Sequence, residues 1–473
     1  MTLFACTTPG GGSAGATDTS GGPAPMQRAQ NVNVTQTYQQ NCGACHGSNG
    51  QGGAAGTKSL NTKEKFDQKY DRPFFDAIKN GVEDMGMEAF GDTMSDEVVW
   101  AMVVHIREMQ ARALRAEFGD PKSVDGVYTS QRHKFRLVDV VASGLRTPWS
   151  VDWLSDGKML VTNRPGGMYV YDGGRKIAEV EGMPASTEQG QGGLMEVAVH
   201  PTSGWVYLSV ADPATSGNGA LSKVYRGKVV VSGSTAKWTE QQTIYEADQK
   251  YYSRAGVHFG CKIAFRGDYI YFTIGERGTM MQVHDNATPY GKVMRLHLDG
   301  KVPSDNPVSG NAMWSTGHRN PQGLAFDLRG SLWDTEHGPR GGDEVNLIQK
   351  GANYGWPVKA LSINYNDSPF TTPWNKPGES YVYPVFRWLP SIGASGLDVV
   401  QGAAFPNWNG DLLAGGLVGE NLDRMRMKDG VLEEREELLH GLGRIRDIAV
   451  HKDGTVYVVF NSPDKVARLV PVE

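Results

Sequence analysis

Five consecutive residues, Cys42-Gly43-Ala44-Cys45-His46, carry the most specific chemistry in the sequence. Two thiols spaced C-x-x-C can add to the vinyl groups of a haem while the adjacent imidazole reaches the iron. The motif therefore points to covalent haem, with Cys42 and Cys45 as anchors and His46 as an iron ligand. A zinc half-site would need a second ligand pair, and a redox C-x-x-C a βαβ setting; neither is evident nearby. Two looser patterns, G-x-G-x-x-G from Gly10 to Gly15 and G-x-S-x-G from Gly11 to Gly15, follow no strand and open no helix, so neither a nucleotide loop nor a serine nucleophile is read there. A second set of reactive types is dispersed: Gln191, His258, Glu276-Arg277, His318-Arg319-Asn320, His337-Gly338-Pro339-Arg340, Arg444 and Arg446. Gathered in one place, they would form a cationic pocket with a histidine, suited to an acidic ligand beside a proton-transfer reaction.

A repeat supplies the means of gathering them. An apolar run, a turn ending in glycine and an alternating apolar run recur six times, in VDWLSDGKMLVTNR, EVAVHPTSGWVYLSVAD, KIAFRGDYIYFTIGER, GLAFDLRGSLWDTEHG, GAAFPNWNGDLLAGGL and DIAVHKDGTVYVVFNS. The turn glycines run from Gly157 to Gly454 at a mean spacing of about 59 residues, which suits one four-stranded sheet plus loops. The expected architecture is a six-bladed β-propeller over residues 132–473, with a β-sandwich as the alternative. In a hairpin the entrance of the first strand and the exit of the second share an end. The dispersed residues stand just before or just after these units, so they are expected on one face around the propeller axis.

The elements around the haem motif are helical. Ser95 to Met109, SDEVVWAMVVHIREM, starts with a serine cap and an acidic first turn and then places apolar residues at helical spacing. Residues 8–25 are glycine, serine, threonine, alanine and proline with one aspartate, a flexible tether with nothing large enough for a core. Before it, Leu3-Phe4-Ala5-Cys6 resembles the end of a bacterial lipoprotein signal, which implies a lipid anchor on Cys6 and a periplasmic or envelope location.

Composition bounds the rest. The chain of 473 residues has 60 glycines and 21% charged residues, favouring a turn-rich β protein over a helical bundle. No apolar run approaches the 18 residues of a membrane-spanning helix. A formal net charge of -5 offers no basic face for phosphate backbones, so nucleic acid is not an expected partner.

Two resemblances extend these readings. Gly47-Ser48-Asn49-Gly50-Gln51-Gly52 after the haem motif, and Gly86-Met87-Glu88-Ala89-Phe90-Gly91 some forty residues on, resemble cytochrome c domains. That resemblance implies Met87 as the sixth iron ligand, with Met85 and Met94 as rivals, and a potential suited to electron transfer. The chain thus divides into a lipoprotein-like tether (1–30), an all-α cytochrome c domain (31–118), a linker (119–131) and an all-β propeller (132–473). In the propeller, GHRNPQGLAF (317–326), EHGPRGGDEVNLI (336–348), NYGWP (353–357) and RIRD (444–447) resemble soluble aldose dehydrogenases that use pyrroloquinoline quinone, PQQ.

By this resemblance His258 is the general base, with Glu276 orienting it, and Arg319, Asn320, Arg444 and Arg446 hold the quinone. The Gly338 and Pro339 carbonyls match calcium ligands, Glu344 and Tyr354 match a second calcium site, and Gln191 matches a residue near the sugar. The sequence departs from the family pattern in three places: Gly416-Leu417-Val418 stands where a lysine is usual, Cys261-Lys262 replaces Gly-Arg, and Glu276 replaces aspartate. The expected function is oxidation of aldoses or related polyols, with electrons passed to the fused haem and then to an external acceptor such as another cytochrome or respiratory-chain component. A calcium-dependent propeller lactonase and a non-catalytic haem-bearing scaffold are the alternatives.

Overall fold

Each repeated unit supplies the two innermost strands of a blade, with one exception. The computed structural model describes residues 32–53, 57–372 and 380–472; the tether and Cys6 lie outside the described residues. Among the described residues, six inner strands ring the axis in chain order: Pro148–Trp153, Leu194–Val199, Gly260–Arg266, Pro321–Phe326, Ala394–Val399 and Arg444–Val450. The second strand of each blade is covered on both faces because blades pack on either side of it; Met159–Asn163 and Leu332–Glu336 are buried throughout, polar residues included. The ring closes through the outer strand Lys134–Val141, which pairs antiparallel with the last strand, Lys465–Val472, so the sixth blade draws on both ends of the propeller. The first two blades also join at their outer edges through a short parallel pairing, Ala236 with Val180 and Lys237 with Glu181.

The exception is the fifth unit. Its first strand was expected within Gly402–Phe405, but the inner strand is Ala394–Val399, and Pro406–Trp408 forms a 3-10 turn instead. Phe405 and Trp408 explain the shift: their rings stack at 4.5 Å, fully buried, against Phe135 and the sixth-blade core. The apolar run is a plug between blades.

The N-terminal part carries four helices among the described residues: α1 (Val34–Asn41), α2 (Gly43–His46), α3 (Asp71–Asn80) and α4 (Asp96–Phe118). Helix α4 outruns its expected end, Met109, by nine residues and stops at Gly119, whose φ of 72° an L side chain rarely adopts. Ser95 sits at the N-cap position, but its side chain makes no capping hydrogen bond. Val98 to Gln110 are buried on every side of α4. A helix apolar all round must be covered all round: α1 and α3 pack on part of it, and the propeller hairpin Ala360–Ile363/Pro369–Thr372 packs on the rest. Leu361, Ile363 and Leu389 of the propeller belong to one apolar cluster with Val99, Val103 and Ile106.

Candidate active site

His258 precedes the third inner strand, and its main chain is unusual. Its φ of 55° puts a non-glycine residue in the left-handed region, a conformation that persists only where surroundings impose it. The Gln191 side chain accepts its N–H at 2.8 Å. Gly275 lies so close that a Cβ there would fall 2.2 Å from the His258 carbonyl. The ring Nδ1 faces Glu276 Oε1, and Glu276 Oε2 accepts the Met280 N–H at 2.7 Å. Arg277 underpins the same loop, donating to the Val257 and Ala255 carbonyls with its guanidinium 3.4 Å from the Phe259 ring centroid.

A polar web links this loop to its neighbours. Asn320 accepts the Gly260 N–H at 3.0 Å, and Gln322 bonds the Gly260 carbonyl and Asn320 while accepting from Arg446 at 3.1 Å. Arg319 donates to the His337 and Gly338 carbonyls at 3.1 and 2.9 Å and lies over Trp356; Arg446 lies over Trp149. Gln191, Gln322, His337, Gly338, Pro339, Arg340, Arg444 and Arg446 line one cavity of about 490 Å³. Of the unit-end residues, Gln191, His337 to Arg340, Arg444 and Arg446 thus share one cavity, whereas His258, Glu276, Arg319 and Asn320 do not line it, and Gln191 is the hydrogen-bonded link from His258 to its wall.

Electrostatics divide the residues by task. Burial, helped by nearby Arg319, holds the His258 imidazole below its usual proton affinity, although Glu276 pulls the other way. Burial would raise Glu276, but hydrogen bonds from His258 and from the Met280 and Gly278 amides win and hold it low. Burial and the neighbouring Arg444 bring Arg446 down to about 10, so it stays charged at neutral pH. Among the described residues no carboxylate lies within ion-pair distance of Arg444 or Arg446, leaving an unneutralised pair of guanidiniums for an anionic ligand. Cys261 is buried, its thiol raised to about 12, and so inert. Lys262 bridges Glu196 and Asp447 at 2.6 Å each, a buried ion triad from three blades.

The expected metal ligands are neighbours, with Gly338 and Pro339 also facing the larger cavity. Gly338, Pro339, Glu344 and Tyr354 line a single small cavity with Glu336 and Arg319. Beside it, His318, Asp334 and Glu336 bring ligand atoms within 4.8 Å of one another, all buried. Both Asp334 carboxylate oxygens are buried with no hydrogen-bond partner among the described residues. Burial and the neighbouring Glu336 raise both Asp334 and Glu344 well above the carboxylate range. The Tyr354 hydroxyl is already engaged, donating to the Leu347 carbonyl at 2.6 Å and accepting from the Gln349 amide, so a metal contact from Tyr354 falls to its carbonyl.

In the helical domain, α1 leads directly into the haem motif. Cys42 is half-buried, Cys45 is exposed, and neither is in a disulfide. The His46 ring makes no hydrogen bond, and its buried Nδ1 has no partner among the described residues. The loop after the motif folds back so tightly that a Cβ on Gly53 would lie 2.0 Å from the Cys45 carbonyl. Met87 and Cys42 are half-buried against the same apolar cluster, Met94 lies inside that cluster, and Met85 is 85% exposed. Of the three methionines, Met85 is thus the exposed one, while Met87 and Met94 share an apolar cluster with Cys42.

Several residues escaped the sequence reading. Arg164 lines the cavity, and its position at the exit of the first unit was a usable signal. Asp343 gave no signal, being one acid in an alternating strand. It accepts the Gly338 N–H at 2.9 Å and the Ile392 and Ala394 amides, pinning the loop that carries Gly338 and Pro339. Glu108, on α4, lines the cavity from the other domain.

Comparison with known proteins agrees with this arrangement. The family model described as glucose/sorbosone dehydrogenase matches residues 145–469, and one described as cytochrome c oxidase, cbb3-type, subunit III matches residues 29–106. Aldose sugar dehydrogenase YliI of Escherichia coli is 34% identical over 338 residues, covering 68% of this chain and 89% of that protein. The apo structure of the soluble aldose sugar dehydrogenase from Escherichia coli superposes with a TM-score of 0.64 at 32% identity, covering 72% of this chain and all of that one. The PQQ-bound aldose sugar dehydrogenase of Streptomyces coelicolor gives 0.59 at 26% identity, over 72% and 99% of the two chains.

Proposed function

This chain belongs to the glucose/sorbosone dehydrogenase family, and from that premise we propose that it oxidises an aldose or related small polyol at the propeller cavity and delivers the electrons first to a haem on its own N-terminal domain. It is a PQQ-dependent sugar dehydrogenase fused to a cytochrome c domain. The observation that carries the fuller reading is the tie between the His258–Glu276 pair and a cavity holding two guanidiniums with no carboxylate partner.

His258 takes the proton from the anomeric hydroxyl. Glu276 holds Nδ1–H, which leaves the Nε2 lone pair as the base, and the depressed proton affinity keeps the ring neutral at neutral pH. Arg444 and Arg446 would grip the anionic cofactor in the cavity, while Asn320 and Arg319 brace the loops behind it. PQQ, when bound, supplies the two-electron acceptor for the substrate hydride. Calcium fits the oxygen-rich group of Glu344, Glu336 and Asp334, in which both Asp334 oxygens lack a hydrogen-bond partner among the described residues, and the Pro339 carbonyl; the Gly338 carbonyl already carries the Arg319 guanidinium. Cys42, Cys45, His46 and Met87 would hold a haem, which would supply a one-electron carrier toward an external acceptor. An envelope location and a lipid on Cys6 complete the proposal and rest on sequence alone; incorporation of labelled palmitate tests them.

Reconstituting the haem-loaded protein with PQQ and calcium and following sugar-dependent reduction of the haem band is the direct test. Reduction by at least one of a broad aldose panel is expected, and His258→Ala abolishes it without loss of haem. No reduction by any aldose, with PQQ bound, rejects the proposal.

A further inference from the structure

Arg340 follows Gly338 and Pro339 in the wall of the cavity, and its side chain is held from two directions. Its Nε and Nη2 donate to the two oxygens of Glu108 at 2.8 and 2.7 Å, a paired fork, and its Nη1 donates to Asp367 at 2.8 Å. Glu108 belongs to α4 of the haem domain, and its side chain is only 7% exposed. Asp367 lies at the tip of the propeller hairpin, and its other oxygen accepts the Thr35 N–H at the start of α1. The arginine is therefore fixed by both domains, and the haem domain reaches the cavity through Glu108.

Two consequences follow from charge and donor count. A guanidinium has five N–H donors; three are spent on the carboxylates, leaving one on each Nη, and 32% of the side chain remains exposed. One cation with two carboxylates carries a net charge of -1, whereas Arg444 and Arg446 in the same cavity have no carboxylate partner among the described residues. The cavity therefore offers two different surfaces, one that attracts an anion and one that repels it but still presents directed N–H donors and carboxylate acceptors.

We propose that the Arg340–Glu108–Asp367 triad is a subsite for the hydroxyl groups of the neutral sugar, Arg340 binding directly and Glu108 acting from the haem domain as its positioning residue. It rests on the proposed sugar oxidation at this cavity and adds to it that the haem domain helps to form the substrate site. A polyol offers donors and acceptors side by side and no charge, which is the complement of this surface; the carboxylates of the cofactor belong with Arg444 and Arg446.

The test separates the two ligands. PQQ affinity is measured by fluorescence titration, glucose affinity by calorimetry on the haem-loaded protein without PQQ, and KM and kcat on the reconstituted enzyme. Arg340→Met is expected to weaken glucose binding and raise KM by about tenfold, the value of a charged hydrogen bond, with PQQ affinity within twofold. Arg340→Lys, which keeps the charge and guards against a folding defect, raises KM less. Glu108→Gln raises KM with little change in kcat. A loss of PQQ affinity with glucose binding intact, or no change in either, overturns the subsite. A wild-type enzyme that oxidises sugars while the variants match it refutes the subsite alone; a wild-type enzyme that neither binds nor oxidises any sugar refutes the proposed function as well.

Discussion

His258 shows how much surrounding structure one reactive side chain needs. Its left-handed main chain is held by the Gln191 side chain on its N–H, by a glycine opposite its carbonyl and by Glu276 on its ring. Burial lowers its proton affinity and Glu276 partly restores it, so the acid limb of kcat/KM is expected below the ~6.5 of a free imidazole. Activity is lost as pH falls through that point, because the protonated ring cannot accept a proton. Glu276→Gln removes the group that favours the protonated ring, so the limb should move to still lower pH while kcat drops. A pH–rate profile of the variant with an unmoved limb would contradict this coupling. The site residues at unit ends were legible because the hairpin repeat says which chain positions share a face. Their partners were not: Asp343 and Gln322 sit within strands, where an acid or an amide looks like ordinary alternation.

At the scale of elements, neighbouring blades are stapled by half-buried aspartates at matching strand positions. Asp152 accepts the Val199 amide of the next blade at 2.6 Å, and Asp398 accepts the Val450 amide of the next blade at 2.6 Å. Each also accepts the amide of the residue after it. Asp398→Ala leaves two part-buried N–H groups unpaired and should cost about 1–3 kcal/mol. Burial raises Asp398 to about 6, above the ~3.9 expected unfolded. The folded state thus binds more protons than the unfolded chain between those values, and the residue's contribution declines as pH rises through about 6. The stability deficit of Asp398→Ala should be larger at pH 5 than at pH 8; denaturant melts at the two pH values measure it, and a deficit that grows with pH would refute the staple's titration. The hairpin repeat located five of six first strands. The fifth unit failed because periodicity cannot tell an inner strand from the Phe405–Trp408 plug, which is equally apolar but is fixed by contacts with Phe135 on a strand far away in sequence.

At the scale of the whole molecule, the arrangement of the two domains was the least legible feature. The apolar run VVWAMVVHI announces a helix with more than one buried face, yet the hairpin that covers it, Ala360–Thr372, carries no repeat and none of the residues singled out in the sequence. The seam that results is apolar, with Ile363 fully buried in the cluster shared with α4, and ion pairs flank it, Arg115 with Glu437 at 2.8 Å and Arg387 with Asp71 at 3.3 Å. An apolar core with a charged rim holds two domains as one body, so haem and cavity should keep a fixed separation. Ile363→Asp places an unpaired charge in that core, which costs several kcal/mol and should part the domains without unfolding either. The Escherichia coli structure matched over its whole length covers 72% of this chain, so a propeller of this family stands without such a partner. In the variant the single thermal transition expected of the wild type should split into two, one followed by the haem band and one by tryptophan fluorescence. Sugar oxidation with a soluble dye should persist at reduced substrate affinity, because Glu108 leaves with its domain, while sugar-driven haem reduction slows by a larger factor. Equal slowing of both reactions would mean that the seam serves the fold of the propeller rather than the passage of electrons.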